Sequence, residues 1–215
     1  MPAATAFRNH YKNQILASLP KAEIGRLAPN LSPLSFEIGE TLVEPNEDIT
    51  HAYFLESGLA SAVVAMENGN TVETGITGND GVIGIPILLG TKSMPSRTFM
   101  QIRGEGYRIP ARRLFEAYER PGMLRKQINR YFQAHLAQTA QTAACNRLHT
   151  IEQRLARWLL KASDRIQSDI MPMNHDFLST MLGAHRTGHR HRKHRLSRCC
   201  FPLSCQDWQR RRRPG

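Results

Sequence analysis

The sequence predicts an α+β fold, a jelly roll, sandwich or barrel of short strands followed by long helices. Three observations carry this. Apolar, β-branched pieces recur between Leu31 and Ile109, with plain alternation in Leu34-Ser35-Phe36-Glu37-Ile38. Turn signals punctuate them: Ile38-Gly39-Glu40, Pro45-Asn46, Asn68-Gly69-Asn70, Gly78-Asn79-Asp80-Gly81 and Gly104-Glu105-Gly106. From Pro110 onward the apolar period becomes helical.

Taken in order, Ile15, Leu16 and Leu19 form one apolar stripe and Ile24 and Leu27 another, so residues 11–28 read as short helices. Strand-like pieces follow at 61–66, 71–76, 82–89 and 97–102. Asn68-Gly69 between two of them signals a hairpin, because both residues accept positive φ. Pro121-Gly122 breaks the helical part. Beyond it Leu124, Ile128, Tyr131, Phe132 and Leu136 fall at i, i+4, i+7, i+8 and i+12, one stripe of a long helix over 123–143. Such a stripe serves as a seam between two copies or packs on the chain's own strands. The expectation is the seam, with those five residues as the homodimer interface. Leu148, Ile151, Leu155, Trp158 and Leu159 share a face of a second helix. Asn174 is an N-cap candidate for a short helix that buries Phe177, Leu178, Met181 and Leu182 and stops at Gly183.

The chain's 215 residues give room for a real core, and its charged fraction, 22%, is ordinary for a globular protein. The longest apolar run, Val82 to Leu89, is far short of the ~20 residues of a membrane helix, so no membrane partner is expected. The first eight residues hold no apolar signal core, and the expected location is cytoplasmic. Net charge is +11, unevenly spread. Residues 187–215 hold nine Lys/Arg and one Asp, a net +8, which leaves +3 for residues 1–186. No phosphate loop, nucleophile constellation or paired carboxylate motif points to an enzyme. No cofactor is implied. Cys145 on its helix reads as a packed small residue, and His10, His51, His135 and His149 are scattered singly, so no metal site is expected among them.

The order of strands, long helix and short helix with a glycine turn resembles Crp–Fnr transcription regulators. The stretches that carry the resemblance are Tyr53-Phe54-Leu55-Glu56-Ser57-Gly58, Gly81-Val82-Ile83-Gly84, Ala144-Cys145-Asn146-Arg147-Leu148-His149, Glu152-Gln153-Arg154-Leu155-Ala156-Arg157-Trp158-Leu159-Leu160 and Phe177-Leu178-Ser179-Thr180-Met181-Leu182-Gly183. It implies a cyclic-nucleotide-binding-like β-roll sensor over 13–120, a dimerisation helix over 121–145 and a partial winged helix-turn-helix over 146–186. It also implies double-stranded DNA, a second copy of the chain and a small effector as partners. The cyclic-AMP binders of the family resemble a Gly-Glu pair followed about a dozen residues on by Arg-Ser or Arg-Thr. Here Gly84 precedes Ile85, so the ribose acceptor is missing, while Arg97-Thr98 stands where the phosphate pair would be. Gly84, Arg97 and Thr98 are therefore the effector candidates, for a ligand other than cyclic AMP. With no cysteine before Cys145, an iron–sulfur cluster is not expected.

The resemblance places the start of the recognition helix, and so the DNA contacts, at His185, Arg186 and Thr187. The sequence then departs from it: Gly188-His189-Arg190-His191-Arg192-Lys193-His194-Arg195 has neither period nor the small residues of such a helix. One valid encoding of this stretch, read one base later, gives Val-Thr-Val-Thr-Ala-Ser-Thr, a sensible recognition helix. A frameshifted or truncated C-terminus, with 187–215 an aberrant basic tail that should stay disordered, is the expectation. Two other readings are a dimerising effector-binding module without sequence-specific DNA binding, and a basic, His- and Cys-bearing tail that binds nucleic acid non-specifically or holds metal.

Overall fold

The computed structural model describes residues 10–67, 69 and 71–166. Among these residues, seven antiparallel strands form two sheets. One has the order β1 (Ser32–Phe36), β7 (Gly104–Pro110), β3 (His51–Leu55). The other has the order β2 (Thr41–Val43), β6 (Arg97–Ile102), β4 (Leu59–Ala65), β5 (Thr71–Thr77). Their facing side chains, among them Phe36, Leu42, Leu55, Ala60 and Met100, make the interior of the roll. Residues 82–89, read from sequence as a strand, give only a bridge between Ile83 and Tyr53 and then a 3₁₀ turn over Ile85–Leu89. Gly84 at φ 101° and Pro86 prevent a ladder there. The Gly104–Gly106 turn signal is corrected too. Both glycines lie in β7, where a Cβ would collide with the backbone of Ser57 and of Phe54.

Among the described residues, five α-helices frame the roll: α1 (Gln14–Ala17), α2 (Lys21–Leu27), α3 (Ala111–Glu119), α4 (Met123–Leu148) and α5 (Ile151–Ile166). Asn13, fully buried, accepts from the backbone N–H of Ile15 and Leu16 at the start of α1. Its amide also donates to Leu55 O and Gly81 O. The start of α4 is capped from a distance, as both oxygens of Glu23 accept from the N–H groups of Met123 and Leu124 at 2.9 Å. Between α4 and α5, Thr150 and Gln153 form a reciprocal capping box that makes the chain turn rather than continue.

Two further apolar clusters join helices to roll. In the first, Leu124, Ile128 and Tyr131 of α4 pack with Phe54, Val82, Ile109, Leu114 and the leucines of α1 and α2. In the second, Trp158 and Ala162 of α5 cover Leu59, Ile76 and Ile102 on the outer face of the four-stranded sheet. No described helix is long and apolar enough to cross a membrane.

Candidate functional site

The segment from Gly84 to Thr98 begins on β3. Gly84 is left-handed, and a Cβ on it would stand 3.2 Å from Ala52. Leu88 is buried, while Ile87 and Met94 pack against the apolar interior of the roll. Thr98 is buried on β6 beside Ala62 of β4. Arg97 faces outward: its Nε donates to Thr41 Oγ1 at 3.0 Å and lies 3.9 Å from Glu44, and its guanidinium sits over the Phe99 ring. Such an exposed pair holds the arginine only loosely. Gly84 thus packs on β3, and Arg97 pairs with β2. The Ile85 side chain, next to Gly84, carries no hydrogen-bond acceptor.

Just before this segment, the end of β5 and the turn after it, from Gly75 to Gly81, carry the contacts to both long helices. Three glycines, three residues apart, each face a side chain from α4 or α5. A Cβ at Gly75 would come within 3.1 Å of His135, one at Gly78 within 2.7 Å of Arg165, and one at Gly81 would overlap the ring of Tyr131. The polar groups complete the joint. Thr77 Oγ1 and the Tyr131 hydroxyl lie 3.0 Å apart, and the Asp80 carboxylate meets Arg165 at 2.9 Å. Arg165 also donates to Gln138 Oε1 and to Lys161 O, both at 3.0 Å. Sequence reading took 78–81 as a turn and missed the joint. The glycine period of three was the signal available.

A second polar group lies on the same face. Glu73, on β5, accepts from Ser61 Oγ at 2.7 Å and from the Trp158 indole N–H at 2.8 Å. Burial pushes its carboxyl up to about 7 despite these donors and the nearby Lys161 and Arg165 charges. Burial, with the charges of Arg165 and Arg157, brings the Lys161 ammonium down to about 7. The His135 ring is also lowered, by burial first and by Lys161 and Arg165 next. A cavity of about 40 Å³ opens here between β5, the end of α4 and α5, with Arg154, Arg157 and Lys161 in its wall.

The expected dimer residues divide. Leu124, Ile128 and Tyr131 are 2–7% exposed, so the chain's own core already covers them. They are corrected from seam to core, because the first three turns of α4 lie on α1, α3 and the roll. Phe132 is half-buried, and Leu136 is 55% exposed. The helix of 174–183, the candidates His185, Arg186 and Thr187, and the tail 187–215 lie outside the described residues.

Residues 33–120 match the family model of the cyclic nucleotide-binding domain. No curated protein sequence matches the chain significantly. Among solved structures, the chain is similar to the c-di-GMP-responsive global regulator CLP of Xanthomonas campestris, at 16% identity and TM-score 0.63, over 78% of this chain and 86% of that one. A Crp/Fnr-family protein from Eubacterium rectale aligns at 14% identity and TM-score 0.66, over 80% and 81%. FixK2 of Bradyrhizobium japonicum aligns at 15% identity and TM-score 0.62, over 72% and 78%. The fold is the cyclic nucleotide-binding roll followed by long helices, as in Crp/Fnr-family transcription regulators.

Proposed function

We propose that the chain is a cytoplasmic, dimeric regulator of Crp–Fnr type, whose roll senses a small effector and passes its state to a DNA-binding domain through the Gly75–Gly81 joint. One observation carries this reading. Asp80 and Gly81 are held by Arg165 of α5 and Tyr131 of α4, and the effector segment begins three residues on, at Gly84. A ligand that moved 82–98 would pull on both helices at once. Steric contact on glycines leaves little slack to absorb such a movement.

The effector is not cyclic AMP in this reading. Ile85 offers no acceptor to a ribose hydroxyl, and Ile87 and Met94 pack on the interior where a purine would need room. The dimer seam is placed on the outer part of α4, from Phe132 and Leu136 onward, where small residues from Ala137 to Ala144 allow a second helix close approach.

Residues 146–186 begin the DNA-binding domain, and His185, Arg186 and Thr187 stand where base and phosphate contacts would start. The basic run after Gly188 supports loss of the recognition helix and wing through a change of reading frame. A gel shift against a two-fold-symmetric site tests this, with sequencing of the gene around codon 188. The reading expects weak binding that excess competitor DNA removes, with steep salt dependence. Specific binding that survives competitor would restore an intact reading head.

A further inference from the structure

We propose that Asn13 is a positioning residue: its side chain stands in for a rung between β3 and the turn 78–81, and so fixes where that turn meets α4 and α5. The proposal rests on the reading of residues 75–81 as the joint. Tyr53 and Ile83 exchange both backbone bonds, at 3.0 and 2.9 Å. In an antiparallel pair the next such rung lies two residues on in one segment and two back in the other, which sets Leu55 opposite Gly81. There the Asn13 amide takes the place of the rung, donating to Leu55 O at 3.1 Å and to Gly81 O at 2.9 Å. The Gly81 N–H turns to Gly78 O instead, in a long bond of 3.4 Å.

Asn13 is itself held firmly. It is fully buried, and its Oδ1 accepts from the N–H groups of Ile15 and Leu16, so all four hydrogen-bonding positions of the amide are filled. The two oxygens of Glu56 fix the backbone beside it, accepting from Lys12 N–H at 2.7 Å and Asn13 N–H at 3.1 Å. Ile15, Leu16 and Leu19 anchor this stretch in the apolar cluster they share with Leu124, Ile128 and Tyr131. The Gln14 N–H adds a second bond to the turn, to Asn79 O at 2.8 Å. The turn's own bonds are Gly78 N–H to Asp80 Oδ1 at 3.1 Å and the long one from Gly81, so its place is set from outside. Asn13 thus keeps β3 and the turn one amide apart. Without that amide the Gly81 N–H can donate to Leu55 O and close the rung directly, which moves Asp80 and Gly81 relative to Arg165 and Tyr131.

The test uses the full chain carrying Trp208→Phe, so that Trp158, whose indole donates to Glu73 of β5 at 2.8 Å, reports how α5 sits on the roll. Asn13→Ser keeps a capping oxygen for α1 but is too short to span Leu55 O and Gly81 O. Gln14→Pro removes the N–H that holds Asn79, at the first helical position, where proline fits after an Asn13 already extended at ψ 122°. Leu19→Ala takes away buried apolar packing and is the control for lost stability alone. Each variant is read where circular dichroism shows it folded, by Trp158 emission, acrylamide quenching and amide exchange at Gly81. Asn13→Ser and Gln14→Pro should red-shift the emission and raise quenching, while Leu19→Ala lowers Tm with wild-type emission. Asn13→Ser should also slow exchange at Gly81, because its N–H closes the rung; if that variant does not fold, Gln14→Pro carries the emission test. Wild-type emission in both α1 variants, with Asp80→Ala red-shifted, overturns the proposal and leaves the joint standing. Wild-type emission in Asp80→Ala overturns the joint, and the proposal with it. Faster Gly81 exchange in Asn13→Ser, or a Leu19→Ala shift equal to its own, reduces Asn13 to a helix cap and also overturns the proposal.

Discussion

Arg165 on α5 and Asp80 in the turn after β5 form a 2.9 Å ion pair in which both side chains are under one-tenth exposed. Taking one partner from such a pair leaves a buried charge alone, which costs about 3–5 kcal/mol. Asp80→Ala should therefore lower the unfolding free energy by that amount in urea denaturation. Asp80→Ala combined with Arg165→Met should recover most of the loss. If the double variant is as unstable as the single one, the pair is not what holds α5 on the roll.

Gly81 and Tyr131 should be coupled in the same way by shape. Gly81→Ala forces its new methyl into the tyrosine ring, an overpacking cost of about 1–3 kcal/mol. In a Tyr131→Ala background the same methyl has room, so its cost should fall towards zero. Additive losses in the double-mutant cycle would rule out the contact.

Glu73 gives the stability curve a sign. Its folded carboxyl titrates near 7, above its ordinary 4.5, so between these values the native state binds more protons than the unfolded one. Glu73 should therefore make stability fall as pH rises from about 4.5 to 7; above 7 the lowered Lys161, which the unfolded chain keeps protonated up to about 10.5, makes stability rise again. The upper bound of that loss is about 3 kcal/mol. Ser61, Trp158, Lys161 and Arg165 face this carboxylate and moderate the slope. Glu73→Gln should flatten the curve in this window; a curve identical to the wild type would show that another group titrates there.

On α4, position decides outcome. Leu136→Glu alters an exposed residue, and by sedimentation it should give monomers with an unchanged Tm. Ile128→Glu buries a charge in the first apolar cluster and should lower Tm sharply. A dimeric Leu136→Glu variant would move the seam elsewhere.

Cyclic AMP titrated into the full chain should give no saturable heat at micromolar concentration, because Ile85 stands where a ribose acceptor is needed. Micromolar calorimetric binding would show that another group supplies the acceptor.

Period and punctuation in the sequence were enough to determine the α+β class, the breaks at Pro110 and Pro121-Gly122 and the striped helix, since each depends on residues close along the chain. The strand read over 82–89 failed for a local reason, the left-handed Gly84 followed by Pro86. The apolar stripe of α4 could not announce its partner. Leu124 and Ile128 read the same against a second copy as against the chain's own roll, and only the tertiary structure put them in the core. The same holds for the joint. Gly75 reads as a strand residue and Gly78 and Gly81 as turn residues until His135, Arg165 and Tyr131, between 50 and 90 positions away, are brought against them. The Glu73 and Lys161 charges are likewise ordinary surface residues in sequence. Burial and mutual approach shift their titration, and both are set by the packing of α5 across β5.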